Sequence, residues 1–365
     1  MHKVSIRPQW TVTHDGHDAL PPRLLELLVA VAETGSLAAA CQREGVSYRH
    51  AWDLVRQAEG AFGTALLQME RGRGSTLTAL AQKLVWADRR VAARLAPALD
   101  TLASELEVEL GAVLPRPPGL LRVHASYGYS IERLIERLGQ GNVFGADDVG
   151  VERKYMSSQE AAASLHDGAC DLAGLHVPLG PLEARAWAHY ARWLDPADQV
   201  LVDLTTRHQG LMVAAGNPKK IYAPADLARP GVRFVNRQLG SGTRFLLETL
   251  LQQAGVSPDA IPGWEHGEHT HAAVAAFVGS GMADVAFGLE LPARQFKLDF
   301  LPLATERYFM LCRREALGTP RVARVLEILR EPAFRASLDA LPGYDAAHCG
   351  EVHPLADVLA RAGIA

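Results

Sequence analysis

Apolar positions at helical spacing dominate the first hundred residues. Leu24, Leu25, Leu27, Leu28 and Val31 mark one face of a helix predicted from Pro22 to Glu33, with Pro22 at its start. Gly35-Ser36 breaks that pattern, and Ser36 is placed to cap a short alanine-rich helix, Leu37 to Arg43. Gly45 ends it, and Ser47 starts a third helix, roughly Tyr48 to Phe62. Ala51, Leu54, Val55 and Ala58 form its inward face. The spacing is helix, tight turn, helix. An extended stretch from Leu66 and a return at Thr76 to Thr78 enclose Glu70-Arg71-Gly72-Arg73-Gly74-Ser75, which reads as a basic hairpin tip. A fourth helix runs from about Ala79 past Arg94 and continues after Pro97 to Leu110. Its apolar side carries Leu84, Val91, Leu95, Leu99, Leu102 and Leu106, suited to dimerisation or to bracing its own chain.

After Pro115-Arg116-Pro117-Pro118-Gly119 the period changes. Short apolar runs alternate with helical patterns: Leu120 to Ala125, Val151 to Met156, Asp171 to Val177, Leu211 to Ala214 and Val232 to Val235. Strand, helix, strand in that order predicts a parallel, doubly wound α/β sheet. Further strands are predicted at Ala283 to Gly288, Phe300 to Leu303 and Tyr308 to Cys312. Near the N-terminus, Val4, Ile6, Trp10 and Val12 alternate as a short strand would. The resulting division is an extension at 1–21, a helical module at 22–110, a linker at 111–119, an α/β region at 120–345 and a tail at 346–365.

Composition bounds the function. The chain has 365 residues, enough for two or three domains, and a net charge of −4. From Cys41 to Arg94, however, nine Lys/Arg face five Asp/Glu, so the helical module is locally basic. Ser47, Tyr48, Arg49, His50 and Arg56 supply polar groups at the start and outer side of the third helix, where a major groove would be read. Arg71 and Arg73 sit where a wing meets the DNA backbone. Cys41, Cys170, Cys312 and Cys349 lack the spacing of a disulfide framework or zinc finger. No apolar run is long enough to span a bilayer and no leader pattern opens the chain, so a cytoplasmic protein without a membrane partner is expected.

Two loops at predicted strand ends share one chemistry. Ser126-Tyr127 follows the first strand of the α/β region, and Asn236-Arg237-Gln238-Leu239-Gly240-Ser241-Gly242-Thr243-Arg244 follows a later one. Hydroxyls and free N–H groups at helix N-termini hold anions, and Arg237 adds charge and bidentate geometry. Arg244 suits the same role or an exposed helix face. The turn is neither a dinucleotide fingerprint nor a phosphate-binding loop, so no nucleotide and no other cofactor is implied. Glu265 to His271 gathers three histidines and two glutamates, donors that suit a transition metal but lack His-Glu-x-x-His spacing; the preferred reading is that Thr270 caps the next helix with His271 just inside it. No metal site is assigned. His2, His14 and His17 read as surface residues.

The stretch Gly35 to Ala40 followed by Gly45-Val46-Ser47-Tyr48-Arg49-His50-Ala51-Trp52 resembles the winged helix-turn-helix of molybdate-responsive regulators, and more broadly of LysR-type regulators. Val29 to Ser36 and Leu77-Thr78-x-x-Ala81-Gln82-x-Leu84 fit both. The resemblance implies an N-terminal all-α winged helix-turn-helix with a long linker helix, binding double-stranded promoter DNA as a homodimer or homotetramer. The 236–244 turn, Thr270-His271-x-x-Val274-Ala275-x-x-Val278, Gly281-x-Ala283-Asp284-Val285-x-x-Gly288, Glu306-Arg307-Tyr308 and Leu341-Pro342-Gly343-Tyr344 resemble the type 2 periplasmic-binding-protein fold. That resemblance implies a two-lobed α/β domain closing on a small ligand. Its pocket would use Ser126, Tyr127, Arg237, Gly240, Ser241, Gly242, Thr243, Thr270, His271 and Tyr308. Related domains make molybdate, tungstate or a molybdenum-cofactor metabolite the expected effector, although the chain lacks the small C-terminal oxyanion modules of molybdate-responsive regulators. The reading is a ligand-responsive transcription regulator, not an enzyme. The alternatives are an enzyme or binding protein of molybdenum-cofactor metabolism and a metallochaperone-like binder. No Ser-His-Asp group or paired acidic site stands out to favour an enzyme.

Overall fold

The computed structural model describes residues 3–13, 19–70, 74–113, 120–139 and 150–364. The chain divides into two compact units, Arg7–Leu95 and a larger one made of Met1–Ile6 with Ala96–Ala365. The described cysteines are buried and unpaired. Residues 3–13 alternate in exposure as the sequence suggests, yet among the described residues they form no strand.

In the smaller unit three helices follow the predicted boundaries closely: α1 (Pro22–Thr34), α2 (Leu37–Glu44) and α3 (Tyr48–Phe62). Gly35 and Gly45 end the first two in the left-handed conformation, which glycine adopts without strain. Ser36 and Ser47 cap the next helices by accepting from Ala39 N and His50 N. Strands β1 (Leu67–Glu70) and β2 (Gly74–Leu77) pair antiparallel as the wing. β2 docks on the α1–α2 turn: Ser75 N donates to Gly35 O at 3.2 Å. Gly74 is required there, because a Cβ would lie 2.5 Å from Gly35 O. The wing tip with Arg71 and Arg73 lies outside the described residues. Leu27, Leu28, Val31, Leu37, Val55, Leu66 and Val85 fill one core. Helix α4 (Ala79–Val113) contains Pro97. The Pro115–Gly119 linker lies outside the described residues.

The larger unit begins with β3 (Leu120–Ala125), α5 (Tyr129–Leu138), β4 (Gly150–Tyr155), α6 (Ser158–His166), β5 (Leu172–Pro178) and α7 (Glu183–Tyr190). Then come β6 (Gln199–Val213), β7 (Phe234–Arg237), α8 (Gly242–Gln253), β8 (Gly267–Glu268), α9 (His271–Gly279), β9 (Val285–Leu289) and α10 (Glu290–Gln295). The chain closes with β10 (Asp299–Arg313), α11 (Pro320–Arg330), α12 (Pro332–Asp339), β11 (Tyr344–Asp345), β12 (Val352–Pro354) and α13 (Leu355–Arg361). Among the described residues the sheet runs β4-β3-β5-β10-β6-β9-β7-β8, with β11 and β12 also on β6.

This corrects the expectation of a parallel sheet. β3, β4 and β5 are parallel at one end and β7, β8 and β9 at the other. Between them β6 and β10 are antiparallel to each other and to their flanking strands. They are one long pair shared by two lobes. The predicted short strands at 211–214, 300–303 and 308–312 are parts of this pair. Apolar runs miss the rest because Asp203, Thr205, Arg207, Gln209 and Glu306 are buried polar residues within it. Each lobe buries apolar side chains on both sheet faces. The predicted tail is also corrected: β12 pairs with β6 at Val200–Val202, and Leu355, Val358 and Leu359 of α13 are buried.

Candidate functional site

A cavity of about 450 Å³ opens among loops at the carboxyl ends of the parallel strands. Ser126 and Tyr127 follow β3, Met156 and Ser157 follow β4, Gln238 to Gly242 follow β7, and His269 to His271 follow β8. These loops lead into α5, α6, α8 and α9, so four helix N-termini gather around one space. In the 238–242 turn Gly240 takes φ +81°, and Ser241 caps α8 by accepting from Arg244 N at 3.2 Å.

The crossing strand β6 supplies what the loops lack. Arg207 is buried, with Nε 2.5 Å from Glu306 Oε1 and Nη2 3.1 Å from His176 Nδ1. Gln209 Nε2 donates to Glu306 Oε1 at 3.0 Å and to Thr243 Oγ1 at 3.1 Å. This network joins both crossing strands to the start of α8. Arg237, at the end of β7, donates from Nε to Glu268 O at 3.1 Å and from Nη2 to His269 O at 2.9 Å. Its Nη1 is buried without a hydrogen-bond partner among the described residues. Burial, then repulsion from Arg207, lowers its pKa to about 9, which still leaves it charged at neutral pH. Arg207 and Arg237 against Glu306 leave one formal positive charge among the buried groups, while Glu160, an exposed carboxylate held by Ser157 N and Oγ, lines the same cavity and offsets it. The buried side of such a site attracts an anion.

Two imidazoles beside these guanidiniums stay neutral. Burial pushes His176 well below its usual range, helped by Arg207 and Arg237. Burial also lowers His271, helped by Arg237, Arg207 and His176. Below pH about 6.5 the unfolded chain binds protons that these folded sites refuse. Their contribution to stability is therefore full above that pH and lost as pH falls beneath it. The slope is at most about 1.4 kcal/mol per pH unit for each histidine. Urea denaturation of the His271→Asn variant between pH 7.5 and 5, a range set around that value, should show a shallower fall than the parent. An equal slope would remove His271 from this account.

Of the residues anticipated for the pocket, Ser126, Tyr127, Arg237, Ser241, Gly242, Thr243 and His271 line the cavity. Gly240 lines an adjoining hollow instead. Thr270 is buried and caps α9 by accepting from Ala273 N at 2.9 Å. Tyr308 is fully buried outside the cavity lining, its ring 3.9 Å from that of His176. Arg244 faces Glu248 at 3.2 Å and Glu265 at 3.6 Å, and lies over the Trp264 ring. In the histidine loop His266 pairs with Glu268, His269 is exposed and His271 is buried. Sequence reasoning missed Pro97, Tyr155, His176 and Arg207 in the cavity wall, with Gln209 and Glu306 supporting it. A usable signal existed: Asp203, Thr205, Arg207 and Gln209 recur at a spacing of two, the period of one strand face.

In the smaller unit Ser47, Tyr48, Arg49, His50 and Arg56 are all exposed. The Tyr48 and Trp52 rings are stacked at 6.4 Å, and Arg56 lies 5.4 Å over Trp52. Ser47 Oγ is engaged in the cap, accepting from His50 N at 3.2 Å. Tyr48, Arg49 and His50 thus form a polar, outward-facing start to α3. Among the described residues no helix is long and apolar enough to cross a membrane.

Residues 22–82 match the bacterial regulatory helix-turn-helix protein, lysR family, and residues 144–330 match the PBP superfamily domain. The chain is similar to the uncharacterized protein YvgK of Bacillus subtilis, 34% identical over 202 residues. That match covers 55% of this chain and 64% of YvgK, so the chain spans less than two thirds of that relative. It is also similar to the molybdenum-pterin-binding protein MopB of Rhodobacter capsulatus, 33% identical over 92 residues, 24% of this chain and 34% of MopB. A solved structure of an OxyR mutant from Corynebacterium glutamicum aligns over 94% of this chain and 96% of that one, with TM-score 0.44 and 14% identity. The larger unit, with its two lobes on a shared pair of crossing strands, is a binding-protein fold, and the chain belongs to the PBP superfamily, its α/β domain joined to a helix-turn-helix of the LysR type.

Proposed function

We propose that this protein is a ligand-responsive, DNA-binding transcription regulator whose α/β domain senses a small anion. The observation that carries the reading is the buried Nη1 of Arg237, without a hydrogen-bond partner among the described residues, in a cavity that Arg207 also lines, on one chain with a LysR-type helix-turn-helix. Buried donors are normally satisfied, so an anionic group is the partner this one lacks. Ser126, Tyr127, Ser241, Gly242, Thr243 and His271 would surround it. Gly240 and Thr270 shape the loops, and Tyr308 supports His176 from behind. The similarity to MopB makes molybdate, tungstate or a molybdenum-cofactor metabolite a specific form of this reading. Leu95, Leu102, Leu106 and Leu110 are exposed on α4, which suits a homodimer or homotetramer.

On DNA, Tyr48, Arg49 and His50 would meet base edges and phosphates, with Arg56, Arg71 and Arg73 on the backbone and Ser47 fixing the helix start. Selection from a random duplex pool with the full chain should enrich a two-fold repeated sequence. Tyr48→Ala together with Arg49→Ala should weaken binding to it by at least ~10-fold, given about 1–3 kcal/mol for a good base contact. Equal binding by the double variant would sink the regulator reading.

A further inference from the structure

A cluster of metal-ligating side chains lies away from the cavity. Asp203 of β6, Glu351 of the turn before β12 and His353 of β12 bring one donor atom each within 4.8 Å of one another. None of the three lines the ligand cavity. His353 Nε2 stands 2.8 Å from Asp203 Oδ2 and 3.6 Å from Glu351 Oε2. A ring nitrogen carries at most one hydrogen, so it serves the nearer oxygen and not the farther one. The longer separation exceeds a hydrogen bond. It is close to the edge of a tetrahedral metal site, about 3.4 Å for bonds of about 2.1 Å. A divalent ion in place of that hydrogen would draw on all three atoms.

The surroundings hold these groups in place. Asp203 is buried and accepts from Arg307, at Oδ1 over 2.8 Å and at Oδ2 over 2.6 Å. Glu351 Oε1 lies 3.1 Å from His348 Nδ1, which leaves Oε2 toward His353. Each carboxylate thus has an orienting partner behind it, as the outer shell of a metal site supplies. The backbone is fixed as well. Asp203 N donates to Glu351 O at 2.9 Å, and Gly350 N donates to Asp203 O at 2.8 Å. Gly350 takes φ +82°, and a Cβ there would lie 2.9 Å from Arg330 Cγ. Arg335 and Arg330 donate to the carbonyls of Cys349 and Gly350, at 2.6 and 3.2 Å. Glu351 is exposed and His353 half-buried, so the cluster is open to solvent on one side. Arg307 opposes a cation here, but Asp203 and Glu351 together outweigh its charge.

We propose that Asp203, Glu351 and His353 bind a divalent transition-metal ion of the zinc class, with a fourth position open to water. One imidazole and two carboxylates suit such an ion better than the oxygen-only sites of calcium and magnesium or the thiolate sites of copper(I). The ion is a clasp for the C-terminal segment. β12 pairs with β6 at Val200–Val202, and the ion would tie Glu351 and His353 to Asp203 on the same strand. Its binding therefore adds to the stability of the larger unit. The site is independent of the anion-sensing reading.

The test uses the full, untagged chain, stripped with EDTA and titrated with cobalt(II), whose visible absorption reports its ligands; zinc(II) is then added as competitor. One equivalent of cobalt should bind, and zinc should displace it and raise the Tm of the larger unit. Glu351→Gln and His353→Gln should each weaken cobalt binding by at least ~10-fold and remove the rise in Tm. Both positions reach the surface, and glutamine at 353 keeps a donor for Asp203, so both variants should fold. Replacing His266 and His269 together by glutamine should leave cobalt binding unchanged, because they belong to the loop around β8. A chain that takes up no cobalt, an affinity equal to the parent's in either the Glu351 or the His353 variant, or binding lost with His266 and His269 overturns the metal proposal. Each of these results leaves the anion-sensing reading standing.

Discussion

Replacing Arg207 by methionine should destabilise the α/β domain by about 3–5 kcal/mol, the usual result of removing one partner from a buried ion pair. Arg207 and Glu306 are both buried, and their side chains meet at 2.5 Å. Methionine keeps much of the volume and removes the charge. Glu306 would then hold a buried carboxylate with the Gln209 amide, at 3.0 Å, as its remaining hydrogen-bond donor among the described side chains. His176 would lose its neighbour on Arg207 Nη2 as well. The measurement is urea unfolding at pH 7.5, followed on the transition of the larger unit. The pair Arg207→Met with Glu306→Leu should recover much of the loss, because an apolar replacement of both partners leaves no uncompensated charge. A single variant within about 1 kcal/mol of the parent, or a double variant no better than the single, would show that the pair is not what holds this region.

The second large effect is expected at Gly210→Ala, a loss of about 3 kcal/mol, at the upper end for overpacking. A Cβ there would lie 2.1 Å from Leu301 O and 2.9 Å from the Phe300 ring. The oxygen is backbone, so no side-chain rotation relieves the clash. Gly210 faces Pro302, next to the register shift between Pro302 and Ala304. The two crossing strands approach closely at that point, and alanine must push them apart. Thermal unfolding would register the change as a lower Tm, and a variant with the parent's Tm would mean the strands part without penalty.

The helix-turn-helix was legible because its signals are local. Ser36, Gly45 and Ser47 act within three or four residues of themselves, and the caps form where the spacing put them. The loops at Ser126 and Ser241 were legible for the same reason. The crossing strands were not, because their polar residues are satisfied from across the sheet. Asp203 is held by Arg307 at 2.6 and 2.8 Å, and Arg207 by Glu306. No pattern within one segment shows such a partner, so the apolar runs break off at these residues. Arg207, central to the cavity, was hidden by the same effect. Tyr308 was misplaced for a subtler reason. Gly174 on the neighbouring strand leaves a notch, and a Cβ there would lie 2.5 Å from the Tyr308 hydroxyl. The phenol fills that notch behind His176 and does not reach the ligand space.

The path of β6 and β10 also sets an order of assembly during synthesis. β7, β8 and β9 lie between these two strands in the chain, so the second lobe is built from nearly continuous sequence. The first lobe is not. β5 waits for Glu306–Leu311 as its partner, and the free edge of β6 at Val200–Val202 waits for Val352–Pro354. While the ribosome still holds those residues, β3, β4 and β5 have emerged without the strands that complete their sheet. The second lobe can close first, and the half of the ligand cavity made by Ser126, Tyr127 and His176 comes last.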